Sequence, residues 1–82
     1  MLVVETGEGA YAQHVSVGGK FTLRADEPLA VGGTDTGPSP YDFLLAGLGA
    51  CTSMTMRMYA NRKGIPLKRA RVSLSHGKIH AQ

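Results

Sequence analysis

The fold is decided by residues 39–64, SPYDFLLAGLGACTSMTMRMYANRKG. The Ser39 hydroxyl can cap backbone N–H groups that have no partner in a first helical turn, and Pro40 suits the first helical position. Asp42 can complete a capping box with Ser39, and its charge favours the positive end of the helix dipole. These residues predict that a helix begins at Pro40.

The same stretch predicts where the helix ends. Arg62 and Lys63 would lie in its last turn, Gly64 follows them, and Pro66 lies just beyond. Basic residues before a terminal glycine, with a proline soon after, are typical of a helix C-terminus. We therefore expect a helix of about 24 residues, ending near Lys63, with a length of roughly 36 Å.

The first half of this helix is apolar on nearly every face, as a central buried helix is. Leu44, Cys51 and Met58 share one stripe at seven-residue spacing. Gly47 and Gly49 each cost roughly 1 kcal/mol relative to alanine inside a helix. We therefore expect another backbone to approach closely at these two glycines.

Strands are predicted on both sides of the helix. Alternating side chains before it favour three strands, over residues 2–5, 11–17 and 20–25. Gly18-Gly19 indicates a hairpin, and the Gly- and Pro-rich residues 26–39 predict a long loop of the kind that often lines a site. After the helix, residues 67–80 predict a fourth strand that bends or turns at Gly77. The expected class is α+β, with antiparallel strands in the order βββαβ packed on one long central helix.

Composition limits the kind of protein this can be. The chain has 82 residues, of which 43% are hydrophobic and 18% charged, and this predicts a single globular domain over residues 1–82. It has no apolar run of about 18 residues or more, and Glu5 and Glu8 stand where a signal peptide would need a basic start. We expect a cytoplasmic protein that does not associate with a membrane.

Charge is unevenly placed along the chain. Up to Asp42 there are six acidic and two basic residues, a net −4, and from Phe43 onward there are seven basic residues and no acidic one, for a total of +3. A basic half can bind nucleic acid, or the acidic and basic halves of two chains can face each other. Because the bases have no aromatic ladder among them, we expect a solvated face and no nucleic-acid partner.

The predicted helix needs more cover than this chain supplies. A helix that is apolar on most faces must be covered on most faces, yet three or four short strands form one sheet that covers only one side. A second copy can supply the rest in an intertwined dimer, or a C-terminal continuation can do so in a longer protein. We expect both: a homodimer, and a chain that is the N-terminal half of a longer one.

Metal and cofactor motifs are weak. His76 and His80 would lie on one face of an extended strand but roughly 13 Å apart, too far to share a metal ion unless the chain turns at Gly77. The glycine pairs lack the strand-to-helix pattern and the following Lys-Ser/Thr of a phosphate-binding loop. We therefore predict no metal site and no bound cofactor.

Cys51 is the strongest nucleophile and the only cysteine, which excludes an intrachain disulfide. A lone cysteine can equally be a small buried core residue. Cys51 would lie about three turns into the helix, beyond the reach of the helix dipole. A lowered thiol pKa would therefore need a cation from elsewhere, and Arg24, at the end of the third strand, is the nearest upstream candidate beside a partner subunit.

Seven short stretches follow one another in a distinctive order: Asp26-Glu27-Pro28, Gly32-Gly33, Gly37-Pro38-Ser39-Pro40-Tyr41, Leu44-Leu45-Ala46, Leu48-Gly49-Ala50-Cys51, Tyr59-Ala60 and Lys63-Gly64. This series resembles the OsmC-like family, the osmotically inducible protein C and organic hydroperoxide resistance group. The resemblance covers essentially this whole chain but only about the first half of a family member. It implies an intertwined α+β homodimer with two long central helices enclosed by sheets and active sites at the subunit interface.

The resemblance also implies a chemistry for Cys51. Family peroxidases reduce organic hydroperoxides with two thiols, and the cysteine matching Cys51 attacks the peroxide oxygen while an arginine stabilises its thiolate. The family arginine has no unambiguous match in this chain, and Arg24 is the candidate for its role. The peroxidase branch has Asn-Pro-Glu at the helix start, whereas this chain has Ser39-Pro40-Tyr41 and places its acid at Asp42. No second cysteine is present in the 82 residues, so resolution would need an external thiol reductant.

Two other functions remain open on the sequence. The chain can be a non-enzymatic OsmC-like dimer, a carrier of small apolar ligands or a structural module, with Cys51 as a buried core thiol. It can also be a truncated or split product that does not turn over. Resistance of Cys51 to alkylation at about pH 8, with a pKa above that of an ordinary cysteine, would favour the first of these.

Overall fold

The computed structural model describes residues 1–75 of the chain. The chain divides into two compact units, Met1–Phe43 and Leu44–Gln82. The first contains a sheet, a loop and the start of a helix, and the second contains the rest of that helix and the segment that follows it. The predicted bend at Gly77 and the histidine pair for which no metal site is predicted, His76 and His80, lie outside the described residues.

The first unit is built on a three-stranded antiparallel sheet in the order β1-β2-β3, which confirms the three predicted strands. The strands are β1 (Leu2–Thr6), β2 (Gln13–Val17) and β3 (Phe21–Ala25). Val4 pairs with Val15, and Val15 pairs with Leu23, so these apolar side chains share one face of the sheet. On the other face Glu5, His14 and Arg24 form a row across the three strands.

The predicted hairpin joins β2 to β3. Gly18 and Gly19 have φ values of 60° and 70°, and the Lys20 N–H donates a hydrogen bond of 3.0 Å to the Val17 carbonyl. Positive φ at two successive central residues matches the type I′ turn that suits the right-handed twist of paired strands. The Gly-Gly pair therefore fixes the register of β2 against β3.

The loop between β3 and the helix is ordered and contains a short 3-10 helix, Leu29–Val31. A Cβ atom added at Gly33 would overlap the Glu27 carbonyl, and one added at Gly37 would overlap the Arg24 carbonyl. Both glycines are therefore needed because the backbone passes too close to itself for a side chain. The prediction of a long loop over residues 26–39 is refined by this one short helical turn.

The long helix, α1 (Pro40–Lys63), has the predicted bounds. At its start the Ser39 N–H donates to Asp42 Oδ2 at 3.0 Å, and the Asp42 N–H donates to Ser39 Oγ at 3.3 Å, which is a reciprocal capping box. At its end Gly64 has a φ of 70°, and the Ile65 N–H donates to the Ala60 carbonyl at 2.8 Å. This pair of features is a Schellman C-cap.

The predicted fourth strand is wrong over its described part. Residues 65–75 have no regular secondary structure, so the described order is βββα and not βββαβ. The guanidinium of Arg57 donates hydrogen bonds to the carbonyls of Leu67 and Lys68. A segment with alternating side chains forms a strand only where its backbone makes hydrogen bonds with a neighbouring strand. Here two of its carbonyls accept hydrogen bonds from an arginine side chain instead.

Within the described residues no backbone comes close to Gly47 or Gly49, so the expected approach by another backbone stays a prediction for a partner. A Cβ atom at Gly49 would lie 2.7 Å from Leu74 Cδ1, which is a side-chain atom. Nothing in the described residues lies within 4 Å of a Cβ atom at Gly47. The approach at Gly49 therefore comes from the irregular segment after the helix, and Gly47 borders open space.

The predicted burial of α1 is not found within the single chain. Ala60 is the one helix residue that is buried among those described, and most of the large apolar side chains are exposed. The segment that follows the helix covers one side of it, and Leu44, Leu48, Met54 and Met58 remain exposed in the described part of the chain. No helix within residues 1–75 is both long enough and apolar enough to cross a membrane.

Candidate functional site

Cys51 lies in the middle of α1 with its thiol exposed. Residues three, four and seven positions away share its side of a helix. We call this side the Cys51 face, formed by Leu44, Gly47, Leu48, Cys51, Met54, Thr55 and Met58. The four large apolar members, in that order, are 69%, 56%, 65% and 62% exposed. The thiol is therefore accessible at the centre of an uncovered apolar surface.

The opposite side of the helix is the side that the chain covers itself. Gly49, Ser53 and Ala60 are less exposed than their neighbours, and at about 100° per residue they lie roughly opposite Cys51. The segment after Gly64 returns along this side, from Ala60 at the C-cap to Gly49, which Leu74 contacts. Cys51 is thus exposed in the described part of the single chain.

A cavity of about 430 Å³ lies between α1 and the segment that follows it. Its lining is mainly apolar, formed by Thr55, Met56, Tyr59, Ala60, Ile65 and Leu67. Thr55 lies on the Cys51 face one helical turn after Cys51, so the cavity borders that face. The second unit therefore offers both an accessible thiol and an apolar recess on adjoining sides of the same helix.

Arg24 lies on β3 and is half-buried. Its Nε–H donates a hydrogen bond of 2.9 Å to Thr36 Oγ1, which ties the guanidinium to the loop before α1. Within residues 1–75 its two terminal nitrogens make no hydrogen bond or ion pair. Arg24 is therefore anchored at one nitrogen and can still bind an anionic group through the other two.

Asp26 is the most buried side chain of the first unit, with 1% of its surface exposed. Its carboxylate accepts five hydrogen bonds: from Glu27 N–H, from the N–H and hydroxyl of Thr34, and from the N–H and hydroxyl of Thr36. The two hydroxyl contacts are 2.5 and 2.6 Å long, as expected for donors to an ionised carboxylate. Asp26 therefore fixes the path of the loop that carries Thr36.

The hydrogen bonds to Asp26 also set its charge state. The hydroxyl of Thr34, then that of Thr36, and the N–H groups of Glu27 and Thr36 hold the pKa of Asp26 well below its usual range, against the opposing effect of burial. Donors that bond to the charged form favour that form. Asp26 is therefore a carboxylate, and not a carboxylic acid, at neutral pH.

Asp42 serves as a helix cap in this structure. One of its carboxylate oxygens accepts the Ser39 N–H at 3.0 Å, and its position in the first turn complements the helix dipole. Arg24 and Asp42 belong to the first unit and Cys51 to the second. The expectation that Arg24 and Asp42 act together with Cys51 therefore stays a prediction.

Comparison with known proteins places this chain. The family described as OsmC-like protein matches residues 33–81. The match spans more than half of the chain and contains Cys51. The chain belongs to the OsmC-like family. No curated protein and no solved structure gives a significant match.

In this OsmC-like chain the matched region begins at Gly33, runs through the second half of the loop and continues along the whole of α1. It therefore includes Thr36, Asp42 and Cys51, whereas Arg24 and Asp26 lie before it.

Sequence reasoning singled out Arg24, Asp42 and Cys51 but missed Asp26 and its two threonines. The signal available for them was an aspartate followed by Thr34 and Thr36 within a glycine-rich loop, since short polar side chains in such loops bond to nearby backbone.

Side chains that could bind a metal ion do not cluster in the described part of this OsmC-like chain. Among residues 1–75 no group of three His, Cys, Asp or Glu side chains is placed to hold a metal ion. His14 is the one histidine in that range, and it faces Glu5 and Arg24 across the sheet. The candidate functional groups within residues 1–75 are Arg24, Asp26 and Asp42 in the first unit and the Cys51 thiol in the second.

Proposed function

We propose that this chain is a thiol-dependent reductase of organic hydroperoxides in which Cys51 is the peroxidatic nucleophile. The observation that supports this proposal most directly is the exposed Cys51 thiol at the centre of an apolar helix face, inside the region that matches the OsmC-like family. An accessible thiolate can attack a peroxide, and apolar neighbours favour a substrate with an organic substituent over hydrogen peroxide.

The proposed reaction has two stages. The Cys51 thiolate attacks the terminal oxygen of the hydroperoxide, an S–O bond forms as the O–O bond breaks, and the alkoxide leaves as an alcohol after taking a proton. Cys51 is oxidised to a sulfenic acid, and the hydroperoxide is reduced. One thiol of an external dithiol then attacks the sulfenic sulfur, and water leaves as a mixed disulfide forms. The second thiol of the same reductant attacks the mixed disulfide, which releases Cys51 as a thiol and the reductant as a cyclic disulfide. No bound cofactor takes part.

The assembly we propose is a homodimer in the cytoplasm, where reducing conditions keep a lone cysteine as a thiol. A second copy would cover the Cys51 face and form the walls of a substrate pocket. Arg24 of the same chain or of the second copy would stabilise the thiolate, and Asp42 would be the acidic residue of the site. Support for this arrangement comes from the exposed apolar side chains of the Cys51 face and from the terminal nitrogens of Arg24, which make no hydrogen bond within residues 1–75.

Peroxide consumption with dithiothreitol as reductant tests the proposal. The wild-type chain should consume tert-butyl hydroperoxide faster than Cys51→Ser, which removes the nucleophile. A matched variant, Cys51→Ser/Ser53→Cys, keeps one thiol in the same helix but moves it to the covered side. We expect this variant to be as inactive as Cys51→Ser, and equal rates for the wild type and Cys51→Ser would refute the proposal.

A second function is favoured by the apolar cavity beside α1, which could hold a small apolar ligand. In that case the chain would be a carrier and Cys51 would be covered by the dimer. Iodoacetamide labelling of the native protein at about pH 8 separates the two functions. A thiol that resists labelling and has a pKa above the ordinary value of about 8.5 supports the carrier, and a readily labelled thiol supports the reductase.

A further inference from the structure

We propose that Thr36, held by Asp26, is a positioning residue for Arg24, and that it fixes the guanidinium so that both terminal nitrogens are available to one anionic group. The identity of that group as the Cys51 thiolate rests on the proposed function. The inference follows from a chain of hydrogen bonds inside the first unit, from Asp26 to Thr36 to Arg24.

The direction of each hydrogen bond in this chain is fixed by chemistry. Asp26 is ionised and can only accept, so the Thr36 hydroxyl must donate its single proton to Asp26 Oδ2 across 2.6 Å. Its oxygen is then left with lone pairs only, and it accepts the Arg24 Nε–H across 2.9 Å. A hydroxyl polarised by a carboxylate is a stronger acceptor than an isolated one.

Thr36 cannot easily turn away from this arrangement. Its backbone N–H also donates to Asp26 Oδ2, at 3.2 Å, so main chain and side chain bond to the same oxygen. The Asp26 N–H in turn donates to the Pro38 carbonyl at 3.0 Å, which closes the loop around Thr36. The Thr36 hydroxyl, which accepts the Arg24 Nε–H, is therefore held in place by backbone hydrogen bonds of Thr36 and of Asp26.

As a result, the orientation of the Arg24 guanidinium plane is restricted. Its backbone is fixed by the pairing of β3 with β2, in which Arg24 stands opposite His14, and its Nε is fixed by Thr36. The two terminal nitrogens remain, with four N–H donors in a planar fork. A fork of this kind suits an anion that accepts two hydrogen bonds, and fixing it beforehand reduces the entropy lost on binding.

The chain offers a matched pair of variants for the test. Thr36→Val removes a hydroxyl that bonds both Asp26 and Arg24, whereas Thr34→Val removes a hydroxyl that bonds the same Asp26 oxygen and makes no contact with Arg24. Both variants should weaken the loop to a similar degree. Thr36→Ser keeps the hydroxyl and serves as the conservative rescue.

The first measurement is solvent exchange of the Arg24 Nε–H, followed by ¹⁵N–¹H NMR of the full chain. Loss of one hydrogen bond should speed exchange roughly fivefold or more in Thr36→Val, with little change in Thr34→Val and Thr36→Ser. Equal exchange in Thr36→Val and the wild type, or equal acceleration in both valine variants, would overturn the inference. This readout does not depend on peroxide chemistry.

The second measurement is the pH dependence of Cys51 alkylation. Thr36→Val should raise the apparent pKa of the thiol in the same direction as Arg24→Gln does, and Thr36→Ser should restore it. An unchanged profile in Thr36→Val, with the exchange result as expected, would refute the thiolate as the anion. Absence of peroxidase turnover in the wild type would refute the proposed function alone, because the exchange result would still stand.

Discussion

Asp26 occupies a position where a charged group is costly unless its hydrogen bonds are complete. Its five donors come from the residue beside it and from two threonines eight and ten positions later, so the carboxylate holds the loop together. Cys51 is conspicuous in the sequence because it is the only cysteine. Asp26 is not, because its role depends on Thr34 and Thr36 folding back onto it, and composition does not reveal that path.

Replacement of Asp26 should change how stability depends on pH. The folded pKa of Asp26 lies below the unfolded value of about 3.9, so its stabilisation is complete above that value and is lost as the pH falls towards the folded pKa. Asp26→Asn should therefore lower the free energy of unfolding at pH 7 and flatten its fall below about pH 4. Urea denaturation over this range measures both effects.

The control for this prediction is Asp35→Asn. Asp35 is an exposed aspartate of the same loop with a φ of 55°, a conformation that asparagine also tolerates. The substitution Asp35→Asn removes one negative charge and leaves the Asp26 hydrogen bonds unchanged. A pH dependence of unfolding that stays as steep in Asp26→Asn as in Asp35→Asn would contradict the role given to Asp26.

Helix α1 illustrates which elements local sequence determines. Its start depends on Ser39 and Asp42, three residues apart, and its end on Gly64, so all the deciding contacts lie within one turn of the boundary. The segment over residues 67–75 has equally clear alternation but does not form a strand. Its carbonyls bond to Arg57, ten residues or more away in the chain, and periodicity alone does not predict that partner.

The capping box should behave as a coupled pair. Ser39→Ala should lower the free energy of unfolding by about 1 kcal/mol, because the Asp42 N–H loses its acceptor. Asp42→Ala should have an effect of similar size, and the double variant should cost less than the sum because each residue caps the other. Urea unfolding followed by circular dichroism measures the three values, and strict additivity would contradict the reciprocal cap.

At the scale of the whole molecule, the main feature is the apolar surface of α1 that is exposed in the described part of the chain. The sequence predicts this shortage of cover, since an all-round apolar helix has too little sheet to cover it. It does not predict which side of α1 is covered, because that follows from the return of residues 65–75 along the side opposite Cys51. The dimer that would cover the Cys51 face remains a proposal.

A charge placed on the Cys51 face should disrupt that dimer. Leu48 is 56% exposed and lies one turn before Cys51, so Leu48→Lys should shift the chain from dimer to monomer because it would bury an unpaired charge in the interface. Asn61→Lys adds the same charge at an exposed polar position and should leave the dimer intact. Sedimentation equilibrium measures this, and a monomeric wild type, or a dimer unaffected by Leu48→Lys, would contradict the proposed assembly.

The central claim is that Cys51 is a peroxidatic thiol selective for organic hydroperoxides. Single-turnover oxidation tests it most directly: the reduced protein is mixed with excess tert-butyl hydroperoxide or hydrogen peroxide, and the remaining thiol is titrated over time while the sulfenic acid is trapped with dimedone and weighed by mass spectrometry. We predict that Cys51 reacts at least tenfold faster than free cysteine does at the same pH, and faster with the organic peroxide. Oxidation at the rate of free cysteine, with no preference between the two peroxides, would contradict the account.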